Sequence, residues 1–371
     1  MASRAVALPI NNGPLRAIRL IPAEVWSQIL SHVNEKGLKC VVVANFPGAS
    51  QQAVRLVWKE ITPENNKLVV LYHKVEQHPQ TLANHIHSLT MTFEAPGEQL
   101  ATCRLTLISP ALTHLEIGTS ENEGTDCKPG VDNFFQALTQ CTELHTLSIR
   151  AGVRGATRDF VQAFGACGKL KNLTLDKHTG CLVNRSTIKA IATHPKLAHL
   201  RVHRVIDMGL ISTISTLDNP FSSLTSLNLS IEADAAASLL PFTRHLRSLH
   251  LCVHGTVSMF SALSKLKLLE HLSLRFKDFA LAGEDYRQLA HLINLKHLEL
   301  GGAGEDNAGL DTNMVHGLSL AKVLCQLPRL QHFRLHANDT FDDEFLVALG
   351  RGCPELTSLA FSGAYELVDL R

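Results

Sequence analysis

The chain of 371 residues has a formal net charge of +1 at pH 7, with 45% hydrophobic and 5% aromatic residues. A chain of this length buries a large hydrophobic core without needing disulfide bonds or a structural metal. Its near-zero net charge excludes a global field that would attract nucleic acid or an anionic membrane. No segment reaches the ~18 consecutive apolar residues of a transmembrane helix. Neither a nucleic acid nor a membrane is therefore expected as a partner.

Two N-terminal segments precede the main body of the sequence. Residues 1–18 are rich in Pro, Asn and Gly without periodicity, which predicts a flexible leader. Residues 19–62 contain three short apolar segments, and the first has Pro22 where a first helical turn tolerates proline. The apolar side chains of this first segment share one helical face: Val25, Ile29, Leu30 and Val33. The third segment, Ser50 to Ile61, is also helical in period and ends before Pro63. Residues 19–62 are therefore predicted to form a small all-α module.

After a transition over residues 63–85, an L-x-x-L-x-L pattern recurs through residues 86–371. Its copies begin at Ile86, Leu112, Leu144, Leu170, Leu197, Leu224, Leu246, Leu269, Leu295, Leu330 and Leu356. Self-similarity at a period of about 20–30 residues predicts a solenoid. The later apolar residues of a copy, such as Leu173 and Leu175, point to one face of an extended strand. Helical spacing follows several strands, so stacked units predict a curved parallel β-sheet inside and helices outside.

A cysteine stands three residues before the first leucine in several copies. The cysteines are Cys141, Cys167 and Cys353, and the same position holds His194 and Leu327 in two other copies. Together with the repeat pattern, this feature resembles the leucine-rich-repeat family of the cysteine-containing, ribonuclease-inhibitor-like type. The resemblance implies an α/β leucine-rich-repeat solenoid of about eleven repeats.

The N-terminal module contains a second resemblance. The segment Ile21-Pro22-Ala23-Glu24-Val25-Trp26-Ser27-Gln28-Ile29-Leu30 is similar to the L-P-x-E-[IVL]-x-x-x-I-L opening of the F-box motif. A later helix centred on Trp58 matches the end of that motif. The sequence departs from the motif in having Ile21 for leucine and a longer separation between the opening helix and Trp58.

The F-box resemblance implies that the protein is the substrate-recognition subunit of a Skp1–cullin–F-box ubiquitin ligase. The side chains implied to contact the Skp1-type adaptor are Ile21, Pro22, Val25, Ile29, Leu30 and Trp58. An alternative is that these helices cap the end of the solenoid, because terminal repeats need a polar outer face. The protein would then be an interaction scaffold with a helical cap and no role in ubiquitin transfer.

The concave face of the predicted sheet is the candidate surface for an unknown protein substrate. Three columns of side chains, one from each outward position of the strands, are polar and rich in histidine. The predicted substrate-binding residues are His199, Arg201, His203, Arg275, His297, Arg334 and His336. A wide polar sheet suits a protein or peptide better than a small metabolite. Because Arg201, Arg275 and Arg334 lie in separate repeats, the sequence argues against one pocket for all three.

The sequence predicts no catalytic residues, cofactor or metal. It contains none of the G-x-S-x-G, G-x-x-x-x-G-K-[ST] or H-E-x-x-H patterns. His271 and His297 fall at equivalent places on neighbouring strands, ~5 Å apart if paired in register. No thiol or carboxylate is evident beside both of them to complete a tetrahedral zinc site. We therefore expect a binding protein rather than an enzyme.

Nine scattered cysteines without a C-x-x-C pair favour a reducing compartment. A disulfide between Cys141 and Cys167 is accordingly not expected, and the predicted location is the cytoplasm or the nucleus. Three segments that follow strands are acidic: 118–132, 301–317 and 336–344. They are predicted to be solvated loops, with contact to a basic partner as the alternative.

Overall fold

The computed structural model describes residues 60–61, 86–93, 108–119, 131–150, 157–255, 259–277, 286–302, 317–341 and 343–365. Within these ranges, twelve strands form one parallel sheet in which the order along the sheet equals the order along the chain. The strands are β1 (Glu60–Ile61), β2 (Ser88–Phe93), β3 (His114–Thr119), β4 (Thr146–Ile149), β5 (Asn172–Leu175), β6 (His199–Ile206), β7 (Ser226–Glu232), β8 (Ser248–His254), β9 (His271–Lys277), β10 (His297–Gly302), β11 (His332–Phe341) and β12 (Ser358–Tyr365). Parallel strands need crossover connections, and helices lie between many of these strands.

The outer layer consists of short helices between the strands. They are α1 (Val131–Leu138), α2 (Thr157–Ala166), α3 (Arg185–Ala192), α4 (Met208–Ile211), α5 (Ala233–Leu239), α6 (Phe260–Leu263), α7 (Gly317–Leu324) and α8 (Asp343–Gly352). Short 3₁₀ turns complete some repeats, for example Lys177–Thr179 and Tyr286–His291. No helix in the described parts of the chain is both long and apolar enough to cross a membrane.

All eleven predicted copies are confirmed, because each begins two residues before a strand from β2 to β12. Their first apolar residues are buried from Ile86 to Leu330, and only Leu356 is partly exposed. A single apolar core runs between the sheet and the helices through all the described repeats. The chain is therefore a leucine-rich-repeat solenoid, with the parallel sheet inside and helices outside.

Turns before the strands link each repeat to the one before it. The Cys141 thiol donates a hydrogen bond to the Ser109 carbonyl oxygen at 3.3 Å, and the Cys167 thiol donates to Leu138 at 3.8 Å. His194 occupies the same position one repeat later, and its Nε2 donates to the Cys167 carbonyl oxygen at 3.2 Å. Cys141 and Cys167 are both free thiols. These side chains therefore satisfy buried backbone acceptors across the repeat boundary.

Aromatic rings extend the core along the helical layer. Phe135 of α1 packs edge-on against Phe160 of α2, with ring centroids 5.4 Å apart. Phe160 then stacks on Phe164 at 5.9 Å, and Phe164 contacts the His194 ring at 4.8 Å. Each ring is almost fully buried. This row joins three successive repeats on the convex side through contacts of favourable aromatic geometry.

One part of the predicted helical module is wrong. Glu60 and Ile61 were placed at the end of a helix, but they form β1, which pairs with β2 through Glu60↔Ser88 and Ile61↔Leu89. Pairing β2 in this way satisfies backbone groups that would otherwise form an open sheet edge. The sheet therefore begins within residues 19–62, which are not all α. Residues 1–59 and 62–85 lie outside the described residues, with the predicted leader and the transition among them.

Two strands depart from a regular repeat. In β6 the register shifts between Val202 and Val205, which inserts His203 and Arg204 relative to β7. In β11 the register shifts between His336 and Thr340, and the strand continues to Phe341. The prediction of an acidic loop over residues 336–344 is therefore wrong for its first part, because β12 offers a pairing edge there. The helix α8 begins at Asp343, because a negative charge at a helix N-terminus is favourable.

Candidate functional site

Register across the sheet arranges the concave side chains in straight columns. The first column holds residues at the start of each strand, and it runs without interruption from Glu60 to Ser358. The second column lies two residues further along each strand and contains Arg201, His250, Glu299 and Arg334. Both columns agree with the sequence prediction. The predicted third column is interrupted at β6, because Val205 rather than His203 pairs with Ser230.

Three histidines in the first column stack face to face, and we call His271, His297 and His332 the histidine ladder. The His271 and His297 ring centroids are 4.2 Å apart with an interplanar angle of 15°. His297 and His332 are 4.3 Å apart at 6°. These separations are smaller than the roughly 4.8 Å between neighbouring strands. The ring tips are thus closer together than their backbones, as expected on the inner side of a curved sheet.

Burial and neighbouring charges keep the middle ring of the ladder neutral. Burial is the largest cause that lowers the pKa of His297, and the neighbouring His271 and His332 rings and Lys296 lower it further. Protonation of one ring would place a positive charge against two similar groups at contact distance. His297 is therefore a neutral ring near pH 7, at the centre of a flat wall of three imidazole rings.

A depression of about 330 Å³ lies beside this wall, and we call it the ladder depression. Its polar rim comes from the histidine ladder and from second-column residues: His250, Ser273, Glu299 and Arg334. Its volume lies within the range of ligand-binding clefts. Two predicted residues, His297 and Arg334, are therefore brought together here.

A second depression of about 370 Å³ lies towards β6, and we call it the central depression. Its lining includes Arg201, His203, Asn228, His250, Cys252, Ser273, Arg275, Glu299 and His336. Arg201 and Arg275 share this depression, whereas Arg334 lines only the ladder depression, so neither depression holds all three arginines. Long side chains on the inside of a curve converge even when their strands are three positions apart. His250, Ser273 and Glu299 line both depressions, which therefore form one continuous trough.

Glu299 lies between the two depressions. It accepts a hydrogen bond from Ser273 Oγ at 3.2 Å and forms an ion pair with Arg275 Nη2 at 3.1 Å. Burial raises the pKa of Glu299, but the hydrogen bond and charge of Arg275 outweigh it, with help from Ser273 and Arg334, so that the pKa is lowered. Glu299 is thus a carboxylate that fixes the Arg275 guanidinium in the trough.

Arg201 is oriented by a histidine instead of a carboxylate. Its Nε donates a hydrogen bond to His203 Nε2 at 2.6 Å. The acceptor nitrogen must be unprotonated, so the neutral ring places its proton on Nδ1. Burial lowers the pKa of His203, and the Arg201 charge lowers it further, while Asp176 opposes the effect. Both observations indicate a neutral His203 near pH 7.

The structure places most of the predicted substrate-binding residues in the trough. The trough brings together six of the seven substrate-binding residues, and His199 lines neither depression. The prediction omitted His250, Ser273 and Glu299, which connect the two depressions. Their position in the second column was the available signal, because it placed them between Arg201 and Arg334. The predicted adaptor-binding residues Ile21, Pro22, Val25, Ile29, Leu30 and Trp58 lie outside the described residues.

The histidine-rich face does not converge on a metal site. Across the parts of the chain that the structure describes, no three His, Cys, Asp or Glu side chains are arranged to hold a metal ion. In the ladder, the rings present their flat faces to one another, whereas a metal requires nitrogen lone pairs that converge on one point. The ring nitrogens of the ladder therefore do not converge on a common point.

Comparison with known proteins gives distant structural likeness only. No protein-family model matches the sequence, and no curated protein matches it. An internalin from Listeria monocytogenes aligns at 14% identity and a TM-score of 0.46, over 98% of this chain and 95% of the internalin. A leucine-rich-repeat protein from Leptospira interrogans aligns at 15% identity and 0.46, over 75% of this chain and 62% of the other. A leucine-rich-repeat protein from Legionella pneumophila aligns at 14% identity and a TM-score of 0.39, over 74% of this chain and 91% of the other.

Proposed function

We propose that this leucine-rich-repeat protein binds a protein partner in the concave trough formed by the ladder and central depressions. The observation that supports this most directly is that His250, Ser273 and Glu299 line both depressions. A trough continuous from β6 to β12 fits an extended or folded protein surface better than an isolated small molecule. Its charged groups are already oriented by hydrogen bonds, which lowers the entropic cost of ordering them on binding.

A pair of tyrosine substitutions tests this proposal. Asn228 of β7 lines the central depression, and Asn228→Tyr would fill that depression without adding charge. Gln162 is exposed on α2 in the helical layer, so Gln162→Tyr makes the same kind of change on the opposite face. The intact chain should capture a partner, identified by mass spectrometry, that Asn228→Tyr loses and Gln162→Tyr retains. Equal capture by both variants would place the partner elsewhere.

At a finer level, we propose that the partner is a substrate held for ubiquitin transfer. Support comes from the F-box-like segment that begins at Ile21 and from its position ahead of a repeat array. The N-terminal helices would bind a Skp1-type adaptor, and the solenoid would hold a substrate lysine near the conjugating enzyme. Rate enhancement would then come from raised effective concentration, with no chemistry in this chain.

The register of β1 suggests a second role for Trp58, as a core residue of the solenoid. It stands three residues before Ile61, as Ile86 stands three residues before Leu89 in the paired strand. This spacing is that of the first apolar residue of a repeat, and it supports a role for Trp58 in the solenoid. The adaptor proposal therefore rests on the opening helix rather than on Trp58.

Two variants separate these roles. The double change Pro22→Ala, Ile29→Asp should abolish co-purification with the Skp1-type adaptor while the melting temperature stays close to that of the wild type. Trp58→Ala should lower the melting temperature if Trp58 packs as a repeat residue. Adaptor binding that survives the double change would remove the ubiquitin role and leave the scaffold alternative.

A further inference from the structure

We propose that the central depression binds an acidic segment of the partner, with carboxylates held by the guanidinium groups of Arg201 and Arg275. This inference rests on the proposed function, because it names the chemistry of the partner that the trough would bind. Arginine is suited to this role because its planar group offers paired donors that match a carboxylate.

The charge inventory of the central depression favours an anion. Its lining contains two arginines, Arg201 and Arg275, and one carboxylate, Glu299. Its three lining histidines are His203, His250 and His336. The formal charge is therefore +1 with neutral histidines and becomes more positive with each proton gained. A concave surface of one sign raises the local concentration of oppositely charged groups.

Arg201 is the cation that an incoming carboxylate would meet. It is exposed, and among the described residues no carboxylate lies within salt-bridge distance of it. Its bond to His203 uses Nε and so orients the guanidinium without neutralising it. By contrast, Arg275 and Arg150 pair with Glu299 and Glu116 on the same face. An oriented but uncompensated arginine is what anion recognition requires.

The floor of the depression depends on a glycine in β10. A Cβ added at Gly301 would lie 3.1 Å from Cβ and 3.3 Å from Cδ2 of His336. The absence of a side chain at Gly301 therefore lets the His336 ring pack down beside β10. This packing places His336 in the lining of the depression, beside Gly302.

Anion binding here should be coupled to proton uptake. Burial lowers the pKa of His203, as do Arg201, Arg150 and Lys177, against the opposing charge of Asp176. Burial also lowers the pKa of His250, as do His271, Arg201 and Arg275, against Glu299. A bound carboxylate raises the pKa of His250 by adding negative charge, whereas His203 must stay neutral to accept the hydrogen bond from Arg201 Nε. Affinity for an acidic segment should therefore increase as the pH falls from 7.5 to 5.5.

Fluorescence anisotropy on the intact chain tests the inference with a labelled peptide of eight glutamates. A peptide of eight glutamines is the uncharged control. The octaglutamate peptide should bind, and Arg201→Gln should weaken binding by about tenfold or more, the loss expected for a charge-assisted contact. Arg244→Gln removes the same charge from an exposed turn outside the trough, and it should change the affinity less than about twofold.

Several outcomes would overturn the inference. They are equal binding of the two peptides, equal losses in the two variants, and an affinity that does not rise on acidification. A peptide of phosphoserines that binds far more tightly than octaglutamate would assign the site to phosphate instead of carboxylate. Urea unfolding of Arg201→Gln checks that the variant is folded.

The partner-capture experiment and the octaglutamate experiment together separate failure of the proposed function from failure of the acidic-segment inference. If Asn228→Tyr loses the captured partner but octaglutamate does not bind, the proposed function stands and the acidic segment is wrong. If Asn228→Tyr retains the partner and octaglutamate does not bind, both proposals fall.

Discussion

The residue three positions before the first leucine of a repeat joins that repeat to its predecessor. Cys141, Cys167 and His194 differ in chemistry, yet each donates to a backbone carbonyl of the preceding turn. In these three repeats the position holds a donor that tolerates burial, a thiol or an imidazole, whereas Leu327 fills it without a donor in another repeat. Burial raises the pKa of the Cys141 and Cys167 thiols to about 12, with the proximity of Cys167 adding to the effect at Cys141.

These thiols should be unreactive while the protein is folded. At pH 8 a thiol with a pKa of about 12 is ionised in about one molecule in ten thousand, and only the thiolate attacks. Iodoacetamide should label the exposed Cys181 and leave Cys141 and Cys167 unlabelled, as read by peptide mass spectrometry. Labelling of all three should follow addition of urea. Rapid labelling of Cys141 in the native protein would contradict its burial.

His194 should make the stability depend on pH. Burial is the largest effect on its pKa and lowers it, Lys196 lowers it further, and the hydrogen bond to Cys167 only partly opposes them. The unfolded chain therefore gains a proton first, and stability is lost as the pH falls below the ordinary value near 6.5. The loss per residue is at most about 1.4 kcal/mol per pH unit.

The substitution His194→Cys tests this, because it installs the donor found in the neighbouring repeats. Between pH 7.5 and 5, the free energy of urea unfolding should fall less in the variant than in the wild type. Each protein serves as its own reference at pH 7.5. Parallel pH profiles would show that His194 is not held neutral by the fold.

At the scale of elements, the insertion in β6 connects the sheet to a loop of the preceding repeat. Arg204 Nη1 donates to the Val183 carbonyl oxygen at 2.7 Å and also to Gly180. The two inserted residues allow Arg204 to turn away from the trough while His203 stays at the lining of the central depression. In a regular β6, alternation would point Arg204 into the apolar core behind the sheet, where its charge would be buried, whereas here both side chains are exposed.

Arg204→Ala should therefore loosen the loop over residues 177–183. Two charge-assisted bonds are lost, but the side chain is exposed, so we expect a loss of about 1 kcal/mol in unfolding free energy. Amide hydrogen exchange in this loop should become faster. Arg244→Ala is the matched control, since that exposed arginine makes one longer bond, to Pro241 at 3.3 Å. Equal losses of unfolding free energy in the two variants would contradict the contact between Arg204 and the loop.

At the scale of the whole molecule, the sequence predicted the repeats because one leucine pattern determines both the strand and its burial. The columns through Arg201 and Arg334 followed directly from strand alternation. The pattern did not reveal β1, since a two-residue strand is too short to alternate and Ser50 to Ile61 fits a helical period. Nor did it reveal that Arg201 and Arg275 share a depression. That depends on sheet curvature and on the β6 insertion, which hydrophobic periodicity does not encode.

Because each repeat contacts mainly its neighbours, a central lesion should divide the solenoid. Leu249 in β8 is fully buried, and Leu249→Ala should cost about 2–5 kcal/mol. Urea unfolding followed by hydrogen exchange should then show two transitions, one for each side of β8. Leu359→Ala in β12 is the control, because Leu359 is 40% exposed and its loss should leave the number of transitions unchanged. A single shifted transition in Leu249→Ala would indicate cooperativity beyond nearest neighbours.

The spacing of the histidine ladder gives the solenoid a mechanical property. The ring centroids are 4.2 and 4.3 Å apart on strands that are roughly 4.8 Å apart, so the rings lie on the shorter, inner arc of the curved sheet. A ligand group inserted between His297 and His332 would reduce the curvature of the sheet, whereas a ligand that draws the two rings together would increase it. We expect the curvature of the sheet and the occupancy of the trough to be coupled, so that force applied to the two ends would change affinity at the middle.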